Sequence, residues 1–138
     1  MDRTIYINIA GKNYPMRFSL AALREINQKY GNLQKMTESI DQDNTMNTLN
    51  ALTGMLELLI RQGCAYKNLF EKDIPAPEGA ATENGTWIPI SAENLEVAIE
   101  LNDIATVKEK IFECIRVGQK QTIESEPADK KSKNAKAT

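Results

Sequence analysis

The chain has 138 residues, of which 41% are apolar and 26% are charged, and its net charge is −2. This length predicts one globular domain with a real core, and the charge gives no global attraction to nucleic acid or to an anionic membrane. Histidine is absent, which removes the commonest general base and the commonest zinc ligand and lowers the expectation of an enzyme. The N-terminus is not that of a signal peptide, and no apolar run approaches the ~18 residues of a membrane span, so we expect the cytoplasm.

The first stretch, RTIYINIAGKNYPMRFSLAALREINQKY, predicts two strands followed at once by an amphipathic helix. Apolar side chains alternate with polar ones in both predicted strands, which are Ile5, Ile7 and Ile9 in the first and Tyr14, Met16 and Phe18 in the second. Pairing Ile9 with Tyr14, Ile7 with Met16 and Ile5 with Phe18 places all six on one face. We therefore predict an antiparallel hairpin over residues 4–18.

The position of Pro15 refines this hairpin. Proline has no N–H, so its nitrogen should point away from the partner strand, which favours a four-residue turn from Ala10 to Asn13. Pro15 then blunts the outer edge of the second strand. The outer edge of the first strand, from Thr4 to Ile9, remains available for strand addition and self-association.

Helical periodicity continues through most of the chain. Ser19 is a suitable N-cap for the first helix and Gly31 a suitable C-terminal residue, and we expect this helix to cover the apolar face of the hairpin. The longest and most apolar pattern should be central, and Gly63 in it either marks a bend or permits close contact with a neighbour. The predicted helices span about 19–30, 33–41, 45–70, 91–102 and 104–117, which gives an α+β, mostly α fold with the hairpin packed on a helical bundle.

A long irregular segment, 73–90, separates the third and fourth helices. Asn84 and Gly85 predict a turn that joins a small hairpin containing Trp87, the single tryptophan. Two interpretations of this segment remain open: Trp87 and Ile88 fold back onto the core, or they anchor an arm that docks on a partner.

The predicted domain, residues 1–118, has 12 basic and 16 acidic residues, whereas the predicted disordered tail, 119–138, has 5 basic and 3 acidic ones. Glu93, Glu96 and Glu100 have the spacing of one helical face, which is more typical of a solvated face than of a metal or acid–base site. Cys64 and Cys114 are interpreted as buried reduced thiols, with a disulfide as the alternative. We predict no catalytic residue, no cofactor and no metal.

Two segments carry a family resemblance. GKNYPMRFSLAALREINQKYG in the N-terminal stretch and LLIRQGCAYKNLF in the third predicted helix occur in the order seen in tail assembly chaperones of long-tailed bacteriophages and prophages, especially those of Gram-positive hosts. The chain resembles this family over about residues 4–118. The resemblance implies a non-enzymatic protein of the host cytoplasm that binds the tape-measure and tail-tube proteins, assists tube polymerisation and is absent from the virion.

Apolar contact is the expected mode of binding for such a chaperone, with homo-oligomerisation as a further possibility. The candidate interaction residues are Ile5, Ile7, Ile9, Tyr66, Phe70, Trp87 and Ile88. The alternative is a small regulatory or nucleic-acid-binding protein of a mobile element that acts through the Lys-rich tail. The response to salt separates the two, because binding through lysines weakens steeply as salt rises and apolar docking does not.

Overall fold

Two small hairpins and five helices make up the part of the chain that the computed structural model describes, residues 2–42 and 45–119. In chain order they are β1 (Ile5–Ile9), β2 (Lys12–Met16), α1 (Leu20–Tyr30), α2 (Leu33–Ile40), α3 (Met46–Phe70), β3 (Thr82–Glu83), β4 (Thr86–Trp87), α4 (Ala92–Ala98) and α5 (Ile104–Gly118). A short 3-10 helix, Leu101–Asp103, leads directly into α5. The predicted α+β, mostly α class with an N-terminal hairpin on a helical bundle is confirmed. The predicted disordered tail lies outside the described residues from position 120 onward.

The long helix α3 is the centre of the fold. It is contacted by β2, β4 and all four of the other helices. Thr45 caps its N-terminus by accepting a hydrogen bond from the backbone N–H of Thr48 at 3.2 Å. Side chains are buried on several sides of the helix, as expected for a pattern this apolar; the buried residues are Thr48, Ala51, Leu52, Met55, Leu56, Leu58, Leu59, Ile60, Gly63 and Cys64.

The pairing of β1 with β2 differs from the prediction by two residues. Ile5 lies opposite Met16, Ile7 opposite Tyr14 and Ile9 opposite Lys12. The turn consists of Ala10 and Gly11 alone, with φ values of 53° and 85°. The predicted four-residue turn is therefore wrong. A shift of two residues leaves each paired side chain on its original face. β2 ends at Met16, however, so Phe18 lies beyond the strand and does not pair with Ile5 as predicted.

The tight turn has a physical reason. Two residues with positive φ make a turn whose twist matches that of the strands, and Gly11 adopts such a φ without strain. Ala10 accepts a backbone that costs an L-residue about 1–2 kcal/mol, a possibility that the sequence alone did not suggest. In this register Pro15 pairs with Tyr6 in a position that exchanges no ladder hydrogen bond, so its nitrogen points outward as predicted.

The prediction that α1 covers the hairpin is also wrong. β2 packs on α3 and β1 touches α5, whereas α1 packs against α2 and α3. The longer and more apolar helix takes this position because its backbone can approach β2 closely at Gly63. α3 continues through Gly63 without interruption. Of the two roles considered for Gly63, the structure has the close contact and not the bend.

The last two helices are divided earlier than predicted. α4 ends at Ala98, and Ile99 has an extended backbone with ψ 130°. The side chain of Asp103 accepts a hydrogen bond from the backbone N–H of Glu100 at 2.9 Å, and this bond caps the start of the 3-10 helix that precedes α5. The break therefore lies at residues 99–103 instead of at 102–103.

The segment between α3 and α4 folds back onto the hairpin and α3. β3 and β4 form the small hairpin that Asn84 and Gly85 predict, with φ values of 53° and 84° at these two residues. Upstream of β3, Gly79–Ala81 lies against the outer edge of β2: the N–H of Asn13 donates to Gly79 at 2.8 Å and its carbonyl accepts from Ala81 at 3.0 Å. The outer edge of β2 is thus covered from within the chain.

Candidate interaction surfaces

The two segments that carry the family resemblance lie in direct contact. The hydroxyl of Ser19, which caps α1, donates a hydrogen bond of 2.6 Å to the side-chain carbonyl of Gln62 in α3. Just after β2, the backbone N–H of Arg17 donates to the carbonyl of Leu59 at 3.1 Å. We call this junction of residues 15–19 with residues 59–66 the β2–α3 contact.

Two further features make the β2–α3 contact close. A Cβ atom at Gly63 would overlap the Pro15 carbonyl and lie 2.8 Å from the nitrogen of Met16, so only glycine fits there. The guanidinium of Arg17 lies 3.6 Å from the centre of the Tyr66 ring, within the range of a cation–π interaction. The same guanidinium donates to the hydroxyl of Thr4 at 2.9 Å, which fixes its orientation.

The side chain of Asn68 in α3 makes two hydrogen bonds to the backbone of Trp87, as a neighbouring strand would. The amide of Asn68 donates to the Trp87 carbonyl at 3.0 Å and accepts from the Trp87 N–H at 2.9 Å. The Trp87 ring lies 6.3 Å from that of Tyr6. The Lys67 ammonium lies 5.4 Å from the centre of the Tyr6 ring and 5.9 Å from that of the Trp87 ring. Trp87 is only 5% exposed. It is part of the core, as the first interpretation of this segment has it, whereas the neighbouring Ile88 is exposed.

Large apolar side chains are exposed where α3 ends. Leu69 is 67% exposed, Phe70 is 71% exposed, and Ile74 just beyond the helix is also exposed. The Phe70 ring lies 5.2 Å from that of half-buried Tyr66, so these residues continue outward from the β2–α3 contact. We call Tyr66, Leu69, Phe70 and Ile74 the α3-end patch.

The structure divides the predicted interaction residues into two groups. Ile7, Ile9 and Trp87 are buried within the chain itself, so a partner would reach them only after a rearrangement. Ile5 and Tyr66 are half-buried, and Phe70 and Ile88 are exposed. Leu69 and Ile74 join Phe70 in the patch but were missed, because an apolar residue at a helix end has the same sequence signal whether it is buried or exposed.

The outer edge of β1 carries backbone groups without partners in the described part of the chain. In a two-residue hairpin, Tyr6 and Asn8 belong to the pairs that exchange no ladder hydrogen bonds, so their N–H and C=O groups point away from β2. Beside this edge, a cleft of about 250 Å³ separates β1 from Ala98, Ile99 and the start of α5. Strand addition at this edge stays a prediction.

A second surface was missed by the sequence prediction. A groove of about 330 Å³ runs between α3 and the segment that joins α4 to α5. Leu101 borders it and is 81% exposed, and Glu96 and Glu100 are the acidic residues on its sides. We call it the α3–α4 groove; its apolar lining consists of Leu49, Leu52, Leu95, Ile99, Leu101 and Ile104.

An ion-pair network links α1 to α3. The Arg61 guanidinium donates two hydrogen bonds to Glu25, at 2.9 and 3.2 Å, and two to Glu57, at 2.9 and 3.1 Å. The hydrogen bonds from Arg61 lower the pKa of Glu25 below its usual value. All three side chains remain partly exposed, so this pairing fixes the orientation of two helices more than it adds stability.

Both cysteines are free and buried. Burial raises the pKa of each thiol, Cys64 and Cys114, to about 12. A thiol with such a pKa is almost entirely protonated near neutral pH and is a poor nucleophile.

Within residues 2–42 and 45–119, no cluster of His, Cys, Asp and Glu side chains has the geometry to hold a metal ion. In this same part of the chain, no helix combines the length and the hydropathy needed to cross a membrane. Searches of protein-family models, of curated proteins and of solved structures find no match for this chain. The functional interpretation therefore depends on the sequence resemblance and on the surfaces described above.

Proposed function

We propose that this protein is a non-enzymatic tail assembly chaperone that binds a tape-measure protein and assists tail-tube polymerisation. The observation that carries the proposal is the β2–α3 contact. The two segments that resemble the family are residues 11–31 and 58–70 of the chain. Gly63 and Tyr66 of one lie against Pro15 and Arg17 of the other. The two segments therefore form one junction of the fold, and the resemblance itself rests on their sequence.

The α3-end patch supports the proposal in a second way. A chaperone that keeps a long helical protein soluble needs apolar surface that contacts its client and releases it later. Phe70 and its neighbours give such a surface at the end of a rigid helix, directly beside the β2–α3 contact. Contiguous exposed apolar patches often mark interaction sites, whereas apolar side chains exposed singly are ordinary on a protein surface.

Co-expression with a tape-measure fragment from the same locus tests the proposal. We expect the fragment to move from the pellet to the soluble fraction when the wild-type chain is present. The double variant Phe70→Asp/Ile74→Asp should abolish this effect because it introduces charge into the patch. Leu20→Asp is the matched control, since Leu20 is an exposed apolar residue of α1, 75% exposed, outside the patch.

The result that would overturn the proposal is a fragment equally insoluble with and without this protein. A gene neighbourhood without tail genes would have the same consequence. Equal loss of activity in Leu20→Asp and in the patch variant would instead remove the patch as the binding surface.

A further inference from the structure

The α3–α4 groove has the shape and chemistry of a helix-binding site. It lies between two helices, which is where a third helix packs in a bundle, with side chains at i, i+3, i+4 and i+7 inserted between its neighbours. Leucine and isoleucine line it from α3, from α4 and from the start of α5. Leu52, Leu95 and Ile104 are themselves buried, and the accessible apolar surface comes from Leu49, Ile99 and Leu101. Leu101 is on its border with 81% of its surface exposed, so the groove has no cover in the described part of the chain on that side.

Both charged side chains that line the groove are acidic. Residues 91–103 contain four acidic residues, Glu93, Glu96, Glu100 and Asp103, and no basic residue. Glu96 and Glu100 line the groove itself, and neither takes part in the ion pairs found among the described residues. The Glu100 side chain accepts a hydrogen bond from the backbone N–H of Asp103, but neither carboxylate has a cationic partner among the described residues. Two such carboxylates beside an apolar surface favour a ligand that carries both apolar and cationic groups.

We propose that the α3–α4 groove binds an amphipathic helix of a partner protein whose apolar stripe is flanked by Lys or Arg residues. The apolar stripe fills the lining between Leu49 and Ile104, and the basic residues pair with Glu96 and Glu100. This inference does not rest on the proposed function. The groove begins about 20 Å along α3 from the α3-end patch, as the 13 residues from Thr53 to Tyr66 indicate, so the two surfaces are separate.

The binding experiment uses the full chain and two synthetic peptides. Each is an amphipathic helix of about 18 residues with leucine along one face, and the other face carries lysine in one peptide and glutamate in the other. Calorimetry at physiological salt should give a Kd for the Leu/Lys peptide at least about tenfold lower than that for the Leu/Glu peptide. Equal affinities, or no binding of the Leu/Lys peptide, would overturn the proposal.

Two pairs of variants locate the site. Leu101→Asp should weaken Leu/Lys binding at least about tenfold, whereas Val97→Asp should not, because Val97 is equally exposed on the same segment but does not line the groove. Glu96→Lys/Glu100→Lys should also weaken binding. Its control, Glu78→Lys/Glu83→Lys, makes the same change in net charge on the segment between α3 and α4. Circular dichroism checks that each variant is folded. If a variant of one pair does not fold, the other pair of variant and control tests the location of the site.

Two other occupants give distinct results that would overturn the proposal. If a second copy fills the groove, sedimentation will show self-association that Leu101→Asp abolishes. If the Lys-rich C-terminal residues of the chain itself fill it, replacing Lys130, Lys131, Lys133 and Lys136 by alanine will raise the affinity for the Leu/Lys peptide. Retention of affinity in that variant and a monomeric chain support a partner helix.

Discussion

The backbone of Gly63 lies directly against the Pro15 carbonyl, with no space for a side chain between α3 and β2. Helix α3 therefore approaches the hairpin more closely than any other residue at this position would permit. The contact brings Arg17 over Tyr66 and Ser19 to Gln62. The geometry of the whole β2–α3 contact depends on a single missing methyl group.

Gly63→Ala should destabilise the protein by about 2 kcal/mol or more, because the added methyl forces the helix and strand apart. The direction of this change in stability is informative, because the helix propensity of alanine is more favourable than that of glycine by about 1 kcal/mol. Helix propensity alone would therefore make Gly63→Ala more stable. Gly54→Ala on the same helix is the matched control. Its Cβ would meet only the end of the Lys29 side chain at 3.5 Å, so this variant should be neutral or more stable. Urea denaturation of both variants measures the two effects, and a stable Gly63→Ala would contradict the close contact.

Local features of the fold were predictable because short-range chemistry determines them. Ser19, Asn32 and Ser91 are the N-caps of α1, α2 and α4, each accepting a backbone hydrogen bond three residues ahead. The alternation of apolar residues in β1 and β2 also gave the correct buried face. These signals need only neighbouring residues, which the sequence displays directly.

Features that depend on competition between distant segments were not predictable. The register of the hairpin depends on whether Ala10 accepts a positive φ, and the helix that covers the hairpin depends on a close approach at Gly63. The α3–α4 groove exists because Leu101 finds no partner within the described part of the chain. No local pattern distinguishes a leucine that packs from one that is left exposed.

The interaction of Arg17 with Tyr66 should be measurable by a double-mutant cycle with Arg17→Met and Tyr66→Leu. We expect a coupling energy of about 1–2 kcal/mol, because the guanidinium lies 3.6 Å from the ring centre and is itself mostly buried. Arg17→Met alone should cost more than the coupling, since it also removes the hydrogen bond to Thr4. Urea denaturation of the four proteins gives the cycle, and additive effects would contradict the interaction.

The two buried thiols predict a loss of stability in alkali. The folded pKa of Cys64 and of Cys114 is about 12, above the usual value of 9.0. The contribution of each neutral thiol to the free energy of unfolding is fully present below pH 9. It declines as pH rises from 9 toward 12, because in this range the thiol releases its proton only in the unfolded chain. Each cysteine should add a decline of about 1.4 kcal/mol per pH unit in that window.

The variant Cys64→Ala/Cys114→Ala removes this contribution and keeps every other titratable side chain. Burial and the charge of Cys64 both raise the pKa of Tyr14, so the variant also loses the second of these two effects. The free energy of unfolding should fall more steeply with pH in the wild type than in the variant. The comparison is best made from about pH 8 to about pH 10.5, where the first part of the decline is expected. Parallel curves would show that the thiols titrate alike in the folded and unfolded states.

The Asn68 amide should determine how well Trp87 is shielded from solvent. Asn68→Ala removes both hydrogen bonds to the Trp87 backbone and leaves those groups without partners, so we expect a loss of about 1–3 kcal/mol. Trp87 is the single tryptophan, and its fluorescence therefore reports this site alone. Emission should shift to longer wavelength and quenching by acrylamide should increase. Asn50→Ala, an exposed position on the same helix, should change neither property. An unchanged spectrum in Asn68→Ala would show that packing against Tyr6 and Lys67 holds Trp87 without the amide.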